Sequence, residues 1–399
     1  MSGEPFRRCR TYRYRLHPTK HQEIALTHQL RLQRELYNAA LEERIGAWKW
    51  EKRAVTYFDQ CLTLSTLKDV RPEVVASGVT LCRGTLKRVD RAYGAFFRRV
   101  KLGQTPGFPR FKGAASFDSL EWGDKAGWKI TQDHRLKLLG IGELKMNYHR
   151  ALEGAPKAIT VKREGRKWWL SVRCVDVPAK PLPKTGKEIG IDLGVLNLVA
   201  TSDEELQRAQ RFAKRSAGRL AAAQRSLATK QRGSTRRTRQ KEEVARLHRK
   251  VRNRRANAHH QLSRRLVNEY DLLVFEDLAI TNMLRAPKAR PDPMSPGSFL
   301  PNGKAAKSGL NRSISDAGWG MLQSMILYKA ESAGRRVVIV DPRHTSQRCV
   351  VCDHVSRSNR VSQAVFRCER CGHADHADLN AAHNILRAGR AQLALASAG

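Results

Sequence analysis

Hydrophobic and polar positions follow two different periods in the N-terminal part of the chain. The segment FRRCRTYRYRLHP alternates apolar or aromatic residues with basic ones, which is typical of a half-exposed strand. Apolar residues recur at helical spacing over residues 20–51 and 74–100, and strand patterns return over residues 117–177. The pattern predicts a β-domain made of residues 1–18 and 113–180, into which a helical domain, residues 19–112, is inserted.

The second half of the chain alternates apolar strands with helical segments. It begins after the linker PAKPLPKTGKE, where Pro and Gly interrupt both kinds of element. The runs GIDLGVLNLVATS, YDLLVFEDL and RRVVIVDP are typical of buried strands, so we expect an α/β domain. Residues 206–265 predict a helical hairpin that breaks near Gly233. We also expect a mobile loop over residues 285–311 and a flexible tail over residues 391–399.

The net charge of the chain indicates the class of molecule that it binds. The 399 residues include 75 Lys+Arg against 37 Asp+Glu, a formal net charge of +38, while 41% hydrophobic residues exclude wholesale disorder. Such a charge indicates a polyanionic partner, of which nucleic acid is the obvious example. The hairpin contains 20 Lys+Arg and two Glu, too few acids for a salt-bridged helix surface. Its candidate nucleic-acid contacts are Arg236, Arg237, Arg249, Lys250, Arg254 and Arg255.

No apolar run approaches 18 residues, and the basic N-terminal segment lacks the apolar stretch of a signal peptide. We therefore expect no membrane partner and a location in the cytoplasm, where thiols stay reduced.

Two CxxC pairs predict a metal site. Cys349 and Cys352 are followed, after a gap of 15 residues, by Cys368 and Cys371. Two such pairs can close a tetrahedral shell of four thiolates around one structural Zn²⁺. Two disulfides or four idle thiols are the alternatives. The nearby histidines could also replace a cysteine as ligand: His354, His373 and His376.

Three carboxylates occupy unusual places. Asp192 interrupts the apolar strand GIDLG, Glu276 ends the run LLVF, and Asp378 begins the helical segment DLNAAHNIL. Burying a carboxylate is costly unless a cation compensates it. Taken singly, a strand-end Asp is usually a turn residue and Asp378 could be a helix N-cap. Taken together, three acids at strand ends and a helix start are what a two-Mg²⁺ phosphodiesterase needs.

The order of five motifs resembles the TnpB family, the RNA-guided nucleases of insertion sequences that are related to compact type V CRISPR effectors. The motifs are GIDLG, VFEDL, SISDAGWG, HTSQRCVVC and DHADLNAAHNI. The resemblance implies a multidomain α/β protein with an RNase H-like RuvC nuclease domain (residues 186–344 and 373–390) and an inserted zinc ribbon (residues 345–372). The N-terminal half would be a β-barrel wedge domain with a helical recognition insert.

The resemblance also implies site residues and partners. Asp192, Glu276 and Asp378 would be catalytic ligands of two Mg²⁺ ions; Asp375 is a weaker candidate, because many relatives read HDRDxNAA where this chain reads DHADLNAA. The partners would be a guide RNA and double-stranded target DNA beside a short flanking motif, for which Arg110 and Lys112 are candidate contacts. We expect a monomer.

Four alternatives stay open from the sequence. A CRISPR-encoded effector would share every motif. A nuclease-inactive RNA-guided repressor would not need all three acids. A transposase that joins DNA ends without a guide would not need the zinc ribbon. A zinc-bearing RNA-binding protein would leave the acids in apolar strands unexplained.

Overall fold

The computed structural model describes residues 8–295 and 297–398 and divides the chain into two compact units, Met1–Pro178 and Ala179–Gly399. The first unit contains one antiparallel sheet of seven strands, in the order β2-β6-β7-β1-β5-β4-β3. Its strands are β1 (Arg10–His17), β2 (Ser119–Trp122), β3 (Trp128–Ile130), β4 (Leu136–Leu138), β5 (Gly142–Met146), β6 (Ala155–Glu164) and β7 (Lys167–Val175).

The alternation predicted for the first strand is confirmed. Tyr12, Tyr14 and Leu16 are buried, and the residues between them are more exposed. Within the described residues no ladder joins β2 to β3, so backbone hydrogen bonds leave the sheet open where the sequence interpretation expected a barrel.

The helical insert packs on this sheet. Its helices are α1 (Lys20–Glu51), α2 (Tyr57–Leu62), α3 (Leu64–Val70), α4 (Pro72–Val75) and α5 (Val79–Lys101). The first predicted helix has the expected bounds, and a reciprocal pair of hydrogen bonds between Thr19 and Gln22 caps it. The second is interrupted before Val79, because Gly78 adopts a positive φ of 98°. Insert and sheet share one hydrophobic core.

The second unit is built on a mixed five-stranded sheet, in the order β10-β9-β8-β11-β14. Parallel ladders join β8 to β11 and β11 to β14, and β9 and β10 are antiparallel. The strands of this unit are β8 (Glu188–Asp192), β9 (Asn197–Thr201), β10 (Leu206–Arg208), β11 (Leu272–Glu276), β12 (Arg290–Pro291), β13 (Phe299–Leu300), β14 (Arg336–Val340), β15 (Val365–Arg367) and β16 (Ala374–His376). Its helices are α6 (Phe212–Ala228), α7 (Thr235–Glu269), α8 (Ile280–Met283), α9 (Lys304–Ala317), α10 (Trp319–Ala333) and α11 (Ala377–Ala398).

Both faces of this sheet are covered, which explains why β11 is an unbroken apolar run. Leu273 and Phe275 pack with α7, α9 and α10, whereas Leu272 and Val274 belong to the cluster on the α11 side. Helix α11 lies so close to β8 that a Cβ on Gly190 would stand 2.1 Å from the Ala382 carbonyl oxygen.

Two segments that were expected to be irregular contain regular elements. The segment 285–311 holds the short hairpin β12–β13, and α9 begins at Lys304, so its last residues are helical. The expected flexible tail is helical as well, because α11 continues to Ala398. No helix in the described ranges is long and apolar enough to cross a membrane.

Candidate active site and zinc-binding site

The fold gathers the three predicted acids at one edge of the second sheet. Asp192 and Glu276 end the neighbouring parallel strands β8 and β11, where Phe275 pairs with Ile191. Parallel strands present their carboxyl ends at the same edge. Asp378 is in the first turn of α11, which packs against both strands.

The electrostatics of the acids show an excess of buried negative charge. Burial first, and then the neighbouring charges of Glu276 and Asp378, together raise the pKa of Asp192 to about 7, against the opposing effect of Arg360. Burial also raises the pKa of Glu276, although a hydrogen bond from Thr345 and the charge of Arg360 act in the opposite direction. Carboxylates with raised pKa values in one place are candidates for cation binding.

Three side chains that the sequence interpretation missed form hydrogen bonds with two of these acids, Asp378 and Glu276. Asn197 donates from Nδ2 to Asp378 Oδ2 at 3.1 Å, and Arg360 donates from Nη2 to Asp378 Oδ1 at 3.2 Å. The Thr345 hydroxyl donates to Glu276 Oε1. Asn197 is a buried polar residue in the apolar strand NLVAT, which is a usable signal. Arg360 has no such signal, because it is one of many arginines in the ribbon segment.

The donor set suits a hard divalent cation, since all three side chains offer oxygen atoms. Among the described residues, the four cysteines alone form a group of three or more ligands whose donor atoms all lie within 4.8 Å of one another.

The four predicted cysteines converge at the base of the ribbon. Cys349 Sγ is 3.7 Å from Cys371 Sγ, and Cys352 Sγ is 3.5 Å from Cys368 Sγ. A tetrahedral Zn²⁺ with Zn–S bonds of 2.3 Å requires sulfur–sulfur distances of about 3.8 Å. The residues therefore fit one zinc ion, and the cysteines are free, so the disulfide alternative is wrong.

Two of the nearby histidines, His354 and His376, have other side-chain contacts, and four thiolates already suffice as ligands. His354 Nε2 lies 3.0 Å from Glu369 Oε1, and His376 Nδ1 accepts from the Asp378 backbone N–H at 3.2 Å. Cys349 N donates to the His354 carbonyl at 2.9 Å and Cys368 N donates to the His373 carbonyl at 2.8 Å. The two CxxC turns are therefore built alike.

The predicted contacts on the hairpin fall into two groups. Arg236, Lys250 and Arg254 are exposed on α7, and Arg249 is half-buried in the groove between α6 and α7. The other two have partners inside the protein. Arg237 donates to the carbonyls of Leu227 and Lys230 at 2.8 and 2.7 Å, closing the hairpin turn. Arg255 forms an ion pair of 3.0 Å with the buried Asp316.

A cavity of about 1140 Å³ lies between α6, α7, α9 and residues 284–287. Asp316 is in its wall, but its carboxylate already accepts from the backbone N–H groups of Ala213 and Lys214. Five other cations in the wall have no carboxylate within ion-pair distance in the described ranges: Arg211, Lys214, Lys304, Lys307 and Arg312. The second unit thus presents a cationic concave surface.

The candidate contacts of the first unit lie in the loop after α5. Arg110 is exposed, and Lys112 is half-buried. The loop is fixed by Asn38, whose side chain accepts from Lys112 N at 2.8 Å and donates to its carbonyl at 3.1 Å. Phe108 packs edge-on against Tyr93 and Phe96 yet stays 49% exposed.

Three family profiles match separate parts of the chain. They are described as "Probable transposase" over residues 171–286, "Cas12f1-like, TNB domain" over residues 319–385 and "Helix-turn-helix domain" over residues 8–53. Over the last of these ranges the structure has β1 and the single uninterrupted helix α1.

Two relatives align with most of the chain. "Putative RNA-guided DNA endonuclease InsQ" of Escherichia coli (strain K12) is 33% identical over 311 residues, which are 78% of this chain and 74% of that protein. A "Putative RNA-guided DNA endonuclease" of Streptomyces pristinaespiralis is 34% identical over 391 residues, 96% of this chain and 90% of that protein. A solved Cas12f1–sgRNA–target DNA complex aligns with 95% of this chain and 98% of that chain at 17% identity, with a TM-score of 0.35.

Proposed function

This chain belongs to the TnpB family of insertion-sequence RNA-guided DNA endonucleases, and from that premise we propose that it holds a guide RNA and cuts double-stranded DNA at a single RuvC-type site. The observation that carries the catalytic part is the group of three acids, in which burial and like charge raise the pKa of Asp192 to about 7. Bound cations would compensate the negative charge of such a group.

Asp192, Glu276 and Asp378 would hold two Mg²⁺ ions. When bound, such ions stabilise the attacking and leaving oxygens of an in-line displacement at phosphorus. The protein's own residues prepare the site. Asn197 and Arg360 fix both oxygens of Asp378, and Arg360 brings a cation that can face a phosphate as well as the carboxylate.

The zinc ribbon has a structural role in this proposal. Four thiolates fill a tetrahedral shell, so no position is left for a substrate. The ribbon contributes Thr345 and Arg360 to the site. The neighbour of Arg360, Asn359, is fully buried and donates to the carbonyls of Gln347 and His354 at 2.9 and 3.1 Å.

The guide RNA would lie on the cationic surface of α6, α7 and the cavity beside them. Exposed Arg and Lys neutralise phosphates without regard to sequence, which suits a structured RNA and an RNA–DNA heteroduplex. In the first unit, Arg110 and Lys112 stay candidates for contact with the DNA motif beside the target. Because these partners are nucleic acids, we place the activity in the bacterial cytoplasm.

The test compares cleavage of a plasmid target by guide-loaded protein and by its Asp192→Ala variant. We expect the variant to bind the co-purified RNA normally and to lose cleavage, because it lacks a metal ligand but keeps the cationic surface. Asp341→Ala, which removes an exposed acid of the same unit, is the matched control and should cut normally. Cleavage by Asp192→Ala would refute the catalytic assignment, and cleavage that needs no RNA would refute guidance.

A further inference from the structure

Two buried asparagines of α11 fasten the first CxxC turn to the helix that carries Asp378. Asn380 and Asn384 are 0% and 4% exposed, and their spacing puts them on one face of the helix. Their Nδ2 atoms donate to the same acceptor, the Arg348 carbonyl, at 2.8 and 2.7 Å. Asn380 Oδ1 also accepts from Val350 N at 3.2 Å. One face of α11 is therefore committed to the residues around Cys349.

Of the two, Asn384 alone reaches toward the carboxylates. Its Nδ2 also donates to the Thr345 carbonyl at 2.9 Å. Arg387 donates from Nη2 to Asn384 Oδ1 at 3.0 Å, which leaves the amide nitrogen facing the two carbonyls because a guanidinium can only donate. The orientation of this amide is thus fixed from both sides.

Thr345 connects this contact with the acids. It is 7% exposed, and its hydroxyl donates to Glu276 Oε1. Within the described part of the chain, no other side chain hydrogen-bonds to the Glu276 carboxylate. Partners of this kind orient a metal ligand, and their loss commonly lowers metal affinity 10- to 100-fold.

We propose that Asn384 and Thr345 are positioning residues, which make the orientation of Glu276 depend on the folded cysteine turn. The inference rests on the proposed function in one respect, since it takes Glu276 to be a ligand of the divalent ions. These residues connect the zinc ribbon with the nuclease site by a chain of hydrogen bonds, which runs from the turn that begins at Cys349 through Asn384 and Thr345 to Glu276.

The test measures Mn²⁺ binding to the full, zinc-loaded chain by calorimetry without nucleic acid. Asn384→Ala and Thr345→Val should each weaken Mn²⁺ binding about tenfold, whereas Thr345→Ser, which keeps the hydroxyl, should bind as the unchanged protein does. The double variant Asn384→Ala/Thr345→Val should have the same Mn²⁺ affinity as the single variant that binds Mn²⁺ less tightly, because both changes break the same chain of hydrogen bonds. Zinc content should stay at one ion per chain throughout.

Asn380→Ala is the matched comparison, because it also loses a bond to the Arg348 carbonyl but has none to Thr345. It should lower the melting temperature and leave Mn²⁺ affinity within about twofold of the unchanged protein. Asn268→Ala, at an exposed position of α7, should change neither property.

Two results would overturn the proposal: unchanged Mn²⁺ affinity in Asn384→Ala, or equal weakening in Asn380→Ala and Asn384→Ala. If Asn384→Ala fails to fold, the pair Thr345→Val and Thr345→Ser decides alone, and equal affinities refute the role of this chain of hydrogen bonds. Normal Mn²⁺ binding by a protein that cuts no DNA would refute the proposed function and leave this inference standing.

Discussion

Replacing Asp192 by Asn should stabilise the Mg²⁺-free protein while it abolishes cleavage. The carboxyl group is half-buried beside Glu276 and Asp378, and its pKa rises from 3.8 to about 7. A carboxyl group whose folded-state pKa is raised holds its proton more tightly in the folded state than in the unfolded one. Its ionisation therefore opposes folding: the effect is absent below pH 4 and complete above about pH 7.

The size of the effect follows from the shift. About three pKa units at 1.36 kcal/mol each give about 4 kcal/mol of destabilisation at pH 8 and about 2 kcal/mol at pH 5. Asn has nearly the same shape and no charge to bury, so Asp192→Asn should recover most of this. For a unit of this size, about 4 kcal/mol corresponds to a rise of roughly 10 °C in melting temperature.

The assay is thermal unfolding in Mg²⁺-free buffer, without chelator so that zinc is kept, between pH 5 and pH 8. The increase in melting temperature that Asp192→Asn causes should grow with pH. Added Mg²⁺ should stabilise the unchanged protein but not the variant. Asp341→Asn, an exposed acid, serves as control and should show no such pH dependence. A variant that is no more stable at pH 8, or a gain that is equal at both pH values, would refute the reasoning from uncompensated buried charge.

Three further outcomes follow from the structure. Cys349→Ser should lose zinc, measured by metal analysis, and cleavage with it, because three thiolates cannot close the shell. Gly190→Ala should lower the free energy of unfolding by several kcal/mol, because its Cβ would stand 2.1 Å from the Ala382 carbonyl oxygen. Gly218→Ala would have nothing within 4 Å of its Cβ, and it should raise the free energy of unfolding by up to about 1 kcal/mol in a denaturant titration. Asp316→Ala should weaken RNA binding in a filter assay despite removing a negative charge, because the buried ion pair and the cap of α6 are lost; tighter binding would contradict this.

The elements of the sheet and the four-cysteine cluster could be predicted from local patterns. Apolar runs placed β8, β11 and β14, and the alternation of Tyr12, Tyr14 and Leu16 placed β1, because hydrophobic period is a property of neighbouring residues. The sequence interpretation failed at residues 304–311 and 391–398. There it gave more weight to small, Gly-rich or Pro-rich composition than to helical packing.

The sequence by itself predicted most of the strands and helices, the four cysteines that converge, and the three acids at two strand ends and a helix start. Each of these signals is carried by residue types at short spacing. Only the tertiary structure decided what surrounds the acids: Asn197 meets Asp378 across 181 residues, and Thr345 meets Glu276 across 69. The tertiary structure also shows that Arg237 and Arg255 have partners inside the protein, so they are not part of the cationic surface. Such contacts depend on how strands and helices pack, and packing distances between remote residues leave no periodic trace along the chain.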